Sequence, residues 1–173
     1  MADFVFGCVA WLTHPKILEA LALKMGVSIM VQKEDWLRKN GLVYDWHTGP
    51  RREMYDRLPA LSLSDFTVLS IFKNDGGQYP EMDAVRCVGN CHAGHPSGSG
   101  ERMHNKFIVF ANRRTCTCAV CLDPSKPDPP EHGWTLTRVW TGSFNFTDSG
   151  SKSLENAVII CDPQVVKAFY AEF

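Results

Sequence analysis

The pattern of apolar and polar positions predicts alternating strand and helix at the start of the chain. Phe4 to Trp11 is almost continuously apolar, which is typical of a buried strand. The segment from Pro15 to Met25 spaces its isoleucine and leucine residues for one apolar helix face, and its opening proline suits a first helical turn. Val27 to Gln32 then predicts a second strand. This β-α-β order predicts a parallel strand pair joined by a right-handed crossover.

Later apolar segments predict the rest of a sheet. Further strands are predicted at Phe66 to Phe72, Ala84 to Val88, Lys106 to Phe110, Trp140 to Ser143 and Ala157 to Cys161. A closing helix from Pro163 to Phe173 again begins with proline, and its apolar last residues predict contact with a partner surface or a longer natural chain. Together the elements predict an α/β fold, with a mixed β-sheet flanked by helices on both faces, in a single domain over residues 1–173.

Two segments lack this periodicity and are predicted to be loop insertions. They run from Gly89 to Glu101, which is rich in glycine, and from Asn112 to Trp134, which is rich in proline. Both flank the predicted strand that begins at Lys106. We therefore expect them to shape access to any site that this strand carries.

Length and charge limit the classes of function. The chain has 173 residues, 45% of them hydrophobic, and a net charge of −1. One domain with a substantial core fits this size, and nucleic-acid affinity would need a local basic patch. Arg102 and Arg113 are the predicted substrate-binding members of such a patch, because they flank the strand at Lys106. The chain has no basic leader and no bilayer-length apolar run, so we expect a cytoplasmic protein without a membrane partner.

The cysteines raise the alternative of a metal site. Seven cysteines in a chain without a predicted export signal are expected to be reduced thiols or metal ligands. Cys91 and His95 in one loop, with Cys118 and Cys121 in the other, could supply four tetrahedral ligands to a structural zinc ion. The spacing matches no standard zinc finger, so zinc stays an alternative. The remaining cysteines considered are predicted to be small core residues: Cys8, Cys87 and Cys161.

The candidate chemistry lies between Met103 and Ile160. His104 and Lys106 are two residues apart on a predicted strand, so their side chains share one face and place a nucleophile or base beside a positive charge. After the second loop, Gly142 allows a close backbone approach to a ligand. Ser143 and Asn145 supply hydrogen-bond donors for anionic oxygens. This set of residue types suits a phosphate.

A carboxylate and a second, weaker motif complete the inventory. Glu155, just ahead of a predicted strand, could accept a hydrogen bond from one ring nitrogen of His104 and leave the other free to attack. The alternative is a surface histidine and lysine beside an accidental Gly-Ser-x-Asn turn. Another His-x-Lys, at His14 and Lys16, lies at a helix start, where residues two apart do not share a face. We interpret it as a coincidence.

These motifs resemble the phospholipase D superfamily, whose signature is His-x-Lys, four residues, Asp, and then Gly-Ser-x-Asn or Gly-Ser-x-x-Asn. The residues that carry the resemblance are Met103-His104-Asn105-Lys106, Thr141-Gly142-Ser143-Phe144-Asn145 and Glu155-Asn156-Ala157-Val158. The resemblance is closest to the small bacterial endonuclease branch and implies a phospholipase D-like mixed sheet. The aspartate position is Ala111 here. That aspartate looks mainly structural in the family, so its loss does not remove a group that touches the phosphate.

Displacement at a phosphodiester requires an attacking group and a proton donor to the leaving oxygen at once, so one histidine is not enough. A two-fold homodimer through the active-site face supplies the second, and the resemblance implies the same arrangement. We therefore predict a metal-independent endonuclease that needs no cofactor and cleaves nucleic acid through a phosphohistidine at His104. Lys106, Asn145 and Ser143 would hold the phosphate oxygens. Two alternatives stay open: a phospholipase D-type lipid enzyme, and a non-catalytic nucleic-acid-binding module.

Overall fold

The computed structural model describes residues 1–32, 49–62, 82–89, 102–113 and 134–173. Its strands are β1 (Phe4–Val9), β2 (Gly26–Gln32), β3 (Val85–Val88), β4 (Lys106–Arg113), β5 (Trp134–Gly142) and β6 (Ala157–Ile160). In these ranges they form one sheet in the order β3-β2-β1-β4-β5-β6. Strands β1, β2 and β3 are parallel, whereas β4, β5 and β6 each run antiparallel to the preceding strand in that order. The predicted mixed sheet is therefore confirmed.

Helices cover both faces of this sheet, as predicted. They are α1 (Pro15–Ala22), α2 (Gly49–Asp56) and α3 (Pro163–Glu172), with a 3₁₀ helix at Gly150–Lys152. Helix α1 connects the parallel strands β1 and β2, which confirms the predicted β-α-β unit. Helix α2 was not predicted, because its short sequence GPRREMYD carries little apolar periodicity. Within the described ranges, no helix combines the length and apolar character needed to cross a membrane.

Strand alternation divides the core into two layers. On one face, Val5 and Val9 of β1 pack with Leu18 of α1 and Tyr55 of α2. The opposite face carries the intervening β1 residues and packs against α3. Its fully or nearly buried members include Phe4, Phe6, Cys8, Phe107, Val109 and Val166. The continuous apolar run of β1 therefore reflects a central strand that is covered on both faces.

The apolar end of α3 has an intramolecular partner. The Tyr170 ring lies 5.2 Å from that of Phe6, and the Phe169 ring lies 5.1 Å from that of Phe107. Phe173 also contacts Phe6, at 5.8 Å between ring centroids. These aromatic residues were predicted to need a partner surface, and the sheet provides it.

Helix α3 begins at a side-chain cap, and this gives a test of the fold. Asp162 Oδ1 accepts hydrogen bonds from the backbone N–H groups of Gln164 and Val165, both at 3.0 Å. We expect Asp162→Ala to lower the free energy of unfolding by about 1 kcal/mol, because two N–H groups lose their acceptor. Asp162→Asn keeps an acceptor oxygen and should be nearly neutral. Urea denaturation of both variants measures this; equal losses would contradict a role for the cap.

Two strand boundaries differ from the prediction. Strand β4 continues beyond Phe110 to Arg113, and β5 begins at Trp134 rather than at Trp140. Arg113 pairs with Trp134, so the predicted loop 112–134 is strand at both ends. Exposed polar residues at these positions lack the apolar pattern from which strands are predicted. Backbone pairing, however, requires no apolar side chain. The interiors of both predicted loops, and the predicted strand at Phe66 to Phe72, lie outside the described residues.

The cysteine predictions have mixed outcomes. Cys8 is 4% exposed, and burial raises the pKa of its thiol to about 11, so it is the predicted core residue. Cys87 and Cys161 are exposed, so their assignment to the core was wrong. Cys87 lies in β3 and Cys161 follows β6, and these are the two outer strands of the sheet that the described residues form. The candidate zinc ligands lie outside the described residues: Cys91, His95, Cys118 and Cys121.

Candidate active site

The predicted motif residues meet at one end of the sheet. Strand β1 ends at Val9, opposite Lys106 at the start of β4. Strand β5 ends at Gly142, opposite Ala157 at the start of β6. Antiparallel pairing therefore places the residues before β4, after β5 and before β6 at the same sheet end. These are the segments that carry His104, Ser143, Asn145 and Glu155.

His104 and Lys106 are in direct contact. The Lys106 Nζ lies 3.0 Å from Nε2 and 3.2 Å from Nδ1 of the His104 ring, and it donates to the His104 carbonyl at 3.1 Å. An ammonium group can only donate, so the ring nitrogen that accepts from it must carry no proton. His104 is exposed, whereas Lys106 is only 8% exposed. The pair thus joins an accessible imidazole to a nearly buried cation.

Burial changes the electrostatics of Lys106. Removing the ammonium from water lowers the pKa of Lys106, and the nearby Glu155 carboxylate opposes this by raising it. Coulomb interactions are stronger where water is excluded. A phosphate oxygen at this ammonium would therefore interact with it more strongly than with a fully solvated lysine.

Ser143 and Glu155 form a network that differs from the prediction. The Ser143 hydroxyl donates to Glu155, and Ser143 Oγ accepts from the Asn156 N–H at 3.1 Å. A hydroxyl has one proton, so this proton is not available to a phosphate while it is held by Glu155. The predicted bond between His104 and Glu155 is replaced by the Ser143 contact, because the pairing of β5 with β6 brings Ser143 and Glu155 side by side.

Gly142 has a structural reason to be glycine. A Cβ atom at this position would lie 2.2 Å from the carbonyl oxygen of Asn156. This close approach is between the ends of β5 and β6, and the predicted approach to a ligand stays a prediction. The approach of the strand ends lets the backbone N–H of Ser143 donate to that same carbonyl at 3.0 Å.

Asn145 is tied to the end of β1 through its neighbour. The backbone N–H of Phe146 donates to the carbonyl of Trp11 at 3.1 Å. Trp11 in turn contacts His104 edge-to-face, with 5.8 Å between ring centroids. The Oδ1 atom of Asn145 is buried and has no hydrogen-bond partner within the part of the chain that the structure describes. An amide oxygen only accepts, so this atom could bind a donor group of a ligand, whereas an anionic phosphate oxygen would need the Nδ2 donor of Asn145.

The two arginines predicted to bind substrate lie at opposite ends of β4. Arg102 is exposed two residues before His104, close to the candidate site. Arg113 lies at the other end of β4, about 20 Å from Lys106 at the rise of an extended strand. Any contact of Arg113 with the substrate would therefore lie away from a phosphate at Lys106, and its predicted role in substrate binding stays a prediction.

Ala111, at the usual aspartate position, is a core residue. It is 0% exposed and packs in the layer that faces α3. Lys106 faces the opposite side of β4, so the residue at position 111 does not share a face with Lys106. In the described ranges, no cluster of three or more His, Cys, Asp or Glu side chains is arranged to hold a metal ion.

Sequence reasoning missed two residues at this end of the sheet. Trp11 follows β1 and contacts the imidazole. Gln32, the last residue of β2, accepts a hydrogen bond from the backbone N–H of Met103 at 2.7 Å. Trp11 follows the parallel strand β1, and Gln32 ends the parallel strand β2. The carboxyl ends of parallel strands commonly carry binding groups. The predicted β-α-β unit was the signal that could have identified them.

The chain is similar to known proteins over nearly its whole length. The family described as cardiolipin synthase, PLD-like domain, matches residues 8–173. A relative named uncharacterized protein L381, from Acanthamoeba polyphaga mimivirus, is 26% identical over 190 residues that cover 99% of this chain and 57% of the relative. The chain therefore spans little more than half the length of that protein. The crystal structure of Nuc, a phospholipase D family member from Salmonella typhimurium, aligns with a TM-score of 0.48 and 16% identity, over 99% of this chain and 75% of Nuc.

Proposed function

Because the chain belongs to the phospholipase D-like family, as the match over residues 8–173 shows, we propose that it is a phosphodiesterase in which His104 is the nucleophile. The observation that carries this proposal is the contact between the exposed His104 ring and the nearly buried Lys106 ammonium, at 3.0 Å. A neutral imidazole can attack phosphorus, and the adjacent cation can hold the phosphate oxygens.

The reaction would proceed in two displacements. The unprotonated ring nitrogen of His104, which accepts from Lys106 in the free site, forms a bond to phosphorus once that ammonium turns to a phosphate oxygen. The bond from phosphorus to the leaving oxygen breaks, which gives a phosphohistidine. Water then attacks phosphorus, its proton passes to the group that protonated the leaving oxygen, and the bond to the imidazole breaks. Charge on the non-bridging oxygens is stabilised by Lys106 and by the amide of Asn145. Ser143 supports this site indirectly, by holding Glu155 close to the Lys106 ammonium.

We propose that the proton donor comes from a second copy of the chain. The leaving oxygen needs a proton while His104 attacks from the opposite side, so the same ring cannot supply it. A two-fold dimer would place the partner subunit's His104 across the phosphate. The exposed position of His104 at the sheet end permits such an approach. Two lysines and two imidazoles would then carry the charge and protons without a metal ion.

Nucleic acid is the proposed substrate. His104, Asn105 and Ser143 are exposed at the sheet end, so a polymer can reach the reacting group without entering a closed pocket. Arg102 adds an exposed cation two residues from His104. Contacts of this kind bind a phosphate backbone without reading its sequence.

A specific observation also favours a second candidate, a lipid phosphodiester. A groove of about 600 Å³ lies beside the site between α1 and strands β4 and β5. Glu155 and Asn156 form one part of its wall, and Lys16 and Lys24 lie on it. Its apolar lining includes Val5, Ile17, Leu21, Ile108, Phe110 and Trp140. An acyl chain in this groove would bring a lipid phosphate close to the same catalytic end of the sheet.

One experiment separates these candidates. The purified protein is incubated in excess EDTA with labelled single- and double-stranded DNA and RNA, and separately with phospholipid vesicles. We expect cleavage of nucleic acid that weakens as salt rises, because phosphate contacts release counterions. Release of a lipid headgroup, without nucleic-acid cleavage, would favour the lipid candidate. Nucleic-acid binding without cleavage of either substrate would contradict the proposed phosphodiesterase and favour a binding module.

A further inference from the structure

The side chain of Gln32 is buried at the catalytic end of the sheet. Gln32 is the last residue of β2 and is 1% exposed. Among the described residues, the buried polar or charged side chains are Ser28, Gln32 and Lys106. Burying an amide is costly unless its polar atoms are hydrogen-bonded. Gln32 meets this requirement in part by accepting from the Met103 N–H at 2.7 Å.

The hydrogen bond between Gln32 and Met103 lies directly before His104, the residue that we assign as nucleophile. Its acceptor fixes the backbone of Met103, immediately before His104. On the other side, the carbonyl of Asn105 accepts from the Ala10 N–H at 2.9 Å. The Ala10 carbonyl in turn accepts from the Gln32 N–H at 3.1 Å. The ends of β1 and β2 therefore hold the backbone both before and after His104.

His104 depends on this support because it lies outside the strand ladder. Strand β4 begins at Lys106, so the ladder does not fix the backbone at His104. Its ring is exposed, and within the described residues it contacts Trp11 in an edge-to-face arrangement and the Lys106 ammonium. A shift of the preceding residue would therefore rotate the imidazole away from Lys106.

Gly89 gives independent support for the importance of this bond. It has a φ of +86°, which side-chain-bearing residues rarely adopt. A Cβ atom there would lie 2.8 Å from Gln32 Oε1 and 3.2 Å from the Met103 nitrogen. The chain thus passes so close to the Gln32–Met103 bond that a side chain at position 89 would disturb it.

We propose that Gln32 is a positioning residue for His104. Its side-chain oxygen sets the backbone at Met103 and thereby keeps the imidazole over Lys106 in the geometry required for attack. Gln32 does not touch the phosphate in this arrangement. The kinetic consequence rests on the proposed function, whereas the effect on the position of the His104 ring does not.

The test compares Gln32→Met, which removes the acceptor and keeps the side-chain length, with Gln32→Glu, which keeps an acceptor oxygen. A small misplacement of a reacting group can cost about a hundredfold in rate, so we expect Gln32→Met to lower kcat about 10- to 100-fold with little change in KM. Gln32→Glu should recover most of this loss. In parallel, NMR of ¹³C-labelled histidine rings, assigned with His104→Asn, should show the His104 resonance shifted in Gln32→Met.

Ser28→Ala is the matched control. Ser28 is a buried polar residue of the same strand, 1% exposed, and it accepts a hydrogen bond from Arg86 at 2.8 Å. Its loss should destabilise the fold without moving the His104 resonance or lowering kcat. If Gln32→Met does not fold, Gly89→Ala takes its place, because a Cβ atom at position 89 would disturb the same hydrogen bond. The same shift of the His104 resonance and the same loss of kcat are then expected.

Two outcomes would overturn the proposal: an unshifted His104 resonance in Gln32→Met, or an equal loss of kcat in Ser28→Ala. If the parent protein cleaves no phosphodiester, the proposed function fails, and the NMR comparison alone decides the role of Gln32. A shifted His104 resonance in that case would still support positioning.

Discussion

The His104→Asn variant is expected to lose phosphodiesterase turnover by at least about 10⁴-fold, because removal of a nucleophile leaves only binding and electrostatic contributions. Asparagine has a similar size but no ring nitrogen with which to attack phosphorus. The parent should also form a covalent adduct with labelled substrate that is stable in alkali and labile in acid, as expected of a phosphohistidine. Single-turnover assays quenched in denaturant measure both the rate and the adduct.

The second His-x-Lys supplies a matched control for this variant. His14 lies at the N-cap of α1, with its Nδ1 buried, and its side chain makes no cap hydrogen bond. His14→Asn should therefore keep full turnover and still form the adduct. Equal activity of His104→Asn and the parent would refute the assignment of the nucleophile. Loss in both variants would point to a general effect of substituting histidine near this end of β1.

The same variant tests the shared site. If one imidazole attacks while the partner subunit's His104 protonates the leaving oxygen, a mixed dimer has only one of the two groups. A large excess of His104→Asn, mixed with the parent under conditions that allow subunit exchange, should suppress the activity of the parent. Undiminished activity, or an active monomer in light scattering, would contradict the dimer.

The fold could be predicted from the sequence where burial follows backbone periodicity. β1, α1 and β2 were identified because each buries a regular set of side chains, and their order fixed the parallel pair. The start of β5 was missed because Thr135 and Arg138 are exposed there, with the half-buried Leu136 and Thr137 between them. The strand is recognisable only through its pairing with β4. Helix α2 was missed for a related reason, since few of its residues are apolar.

The site could be predicted in its residue types but not in its hydrogen bonds. The spacing of His104 and Lys106 was enough to predict that their side chains meet. Nothing local in the sequence shows that Glu155 accepts from Ser143, because that bond follows from the register of β5 against β6. Gln32 is farther still from the motif in sequence. Its role depends on a β2 end that the fold alone brings to Met103.

Lys106→Met should have the second-largest effect, a loss of about 10²- to 10³-fold in kcat, the range typical for removing one electrostatic stabiliser of a developing anion. Methionine fills a similar volume but carries no charge. The loss should be accompanied by a weaker response of activity to salt, because one phosphate contact is missing. Lys167→Met is the control, since it removes an exposed charge from α3 on the opposite face of the sheet. Steady-state kinetics at several salt concentrations make the comparison.

The stability of Lys106→Met should change in the opposite direction from its activity. Burial lowers the pKa of Lys106 below its ordinary 10.5, so the unfolded chain binds more protons than the folded one between the lowered value and 10.5. The parent should therefore gain stability as pH rises through that window, and at neutral pH it bears the full cost of burying the ammonium. Lys106→Met should lack this pH-dependent gain and be at least as stable as the parent at neutral pH. Urea midpoints at neutral and alkaline pH test this, and a variant that is less stable than both the parent and Lys167→Met would show that Lys106 serves the fold rather than the phosphate.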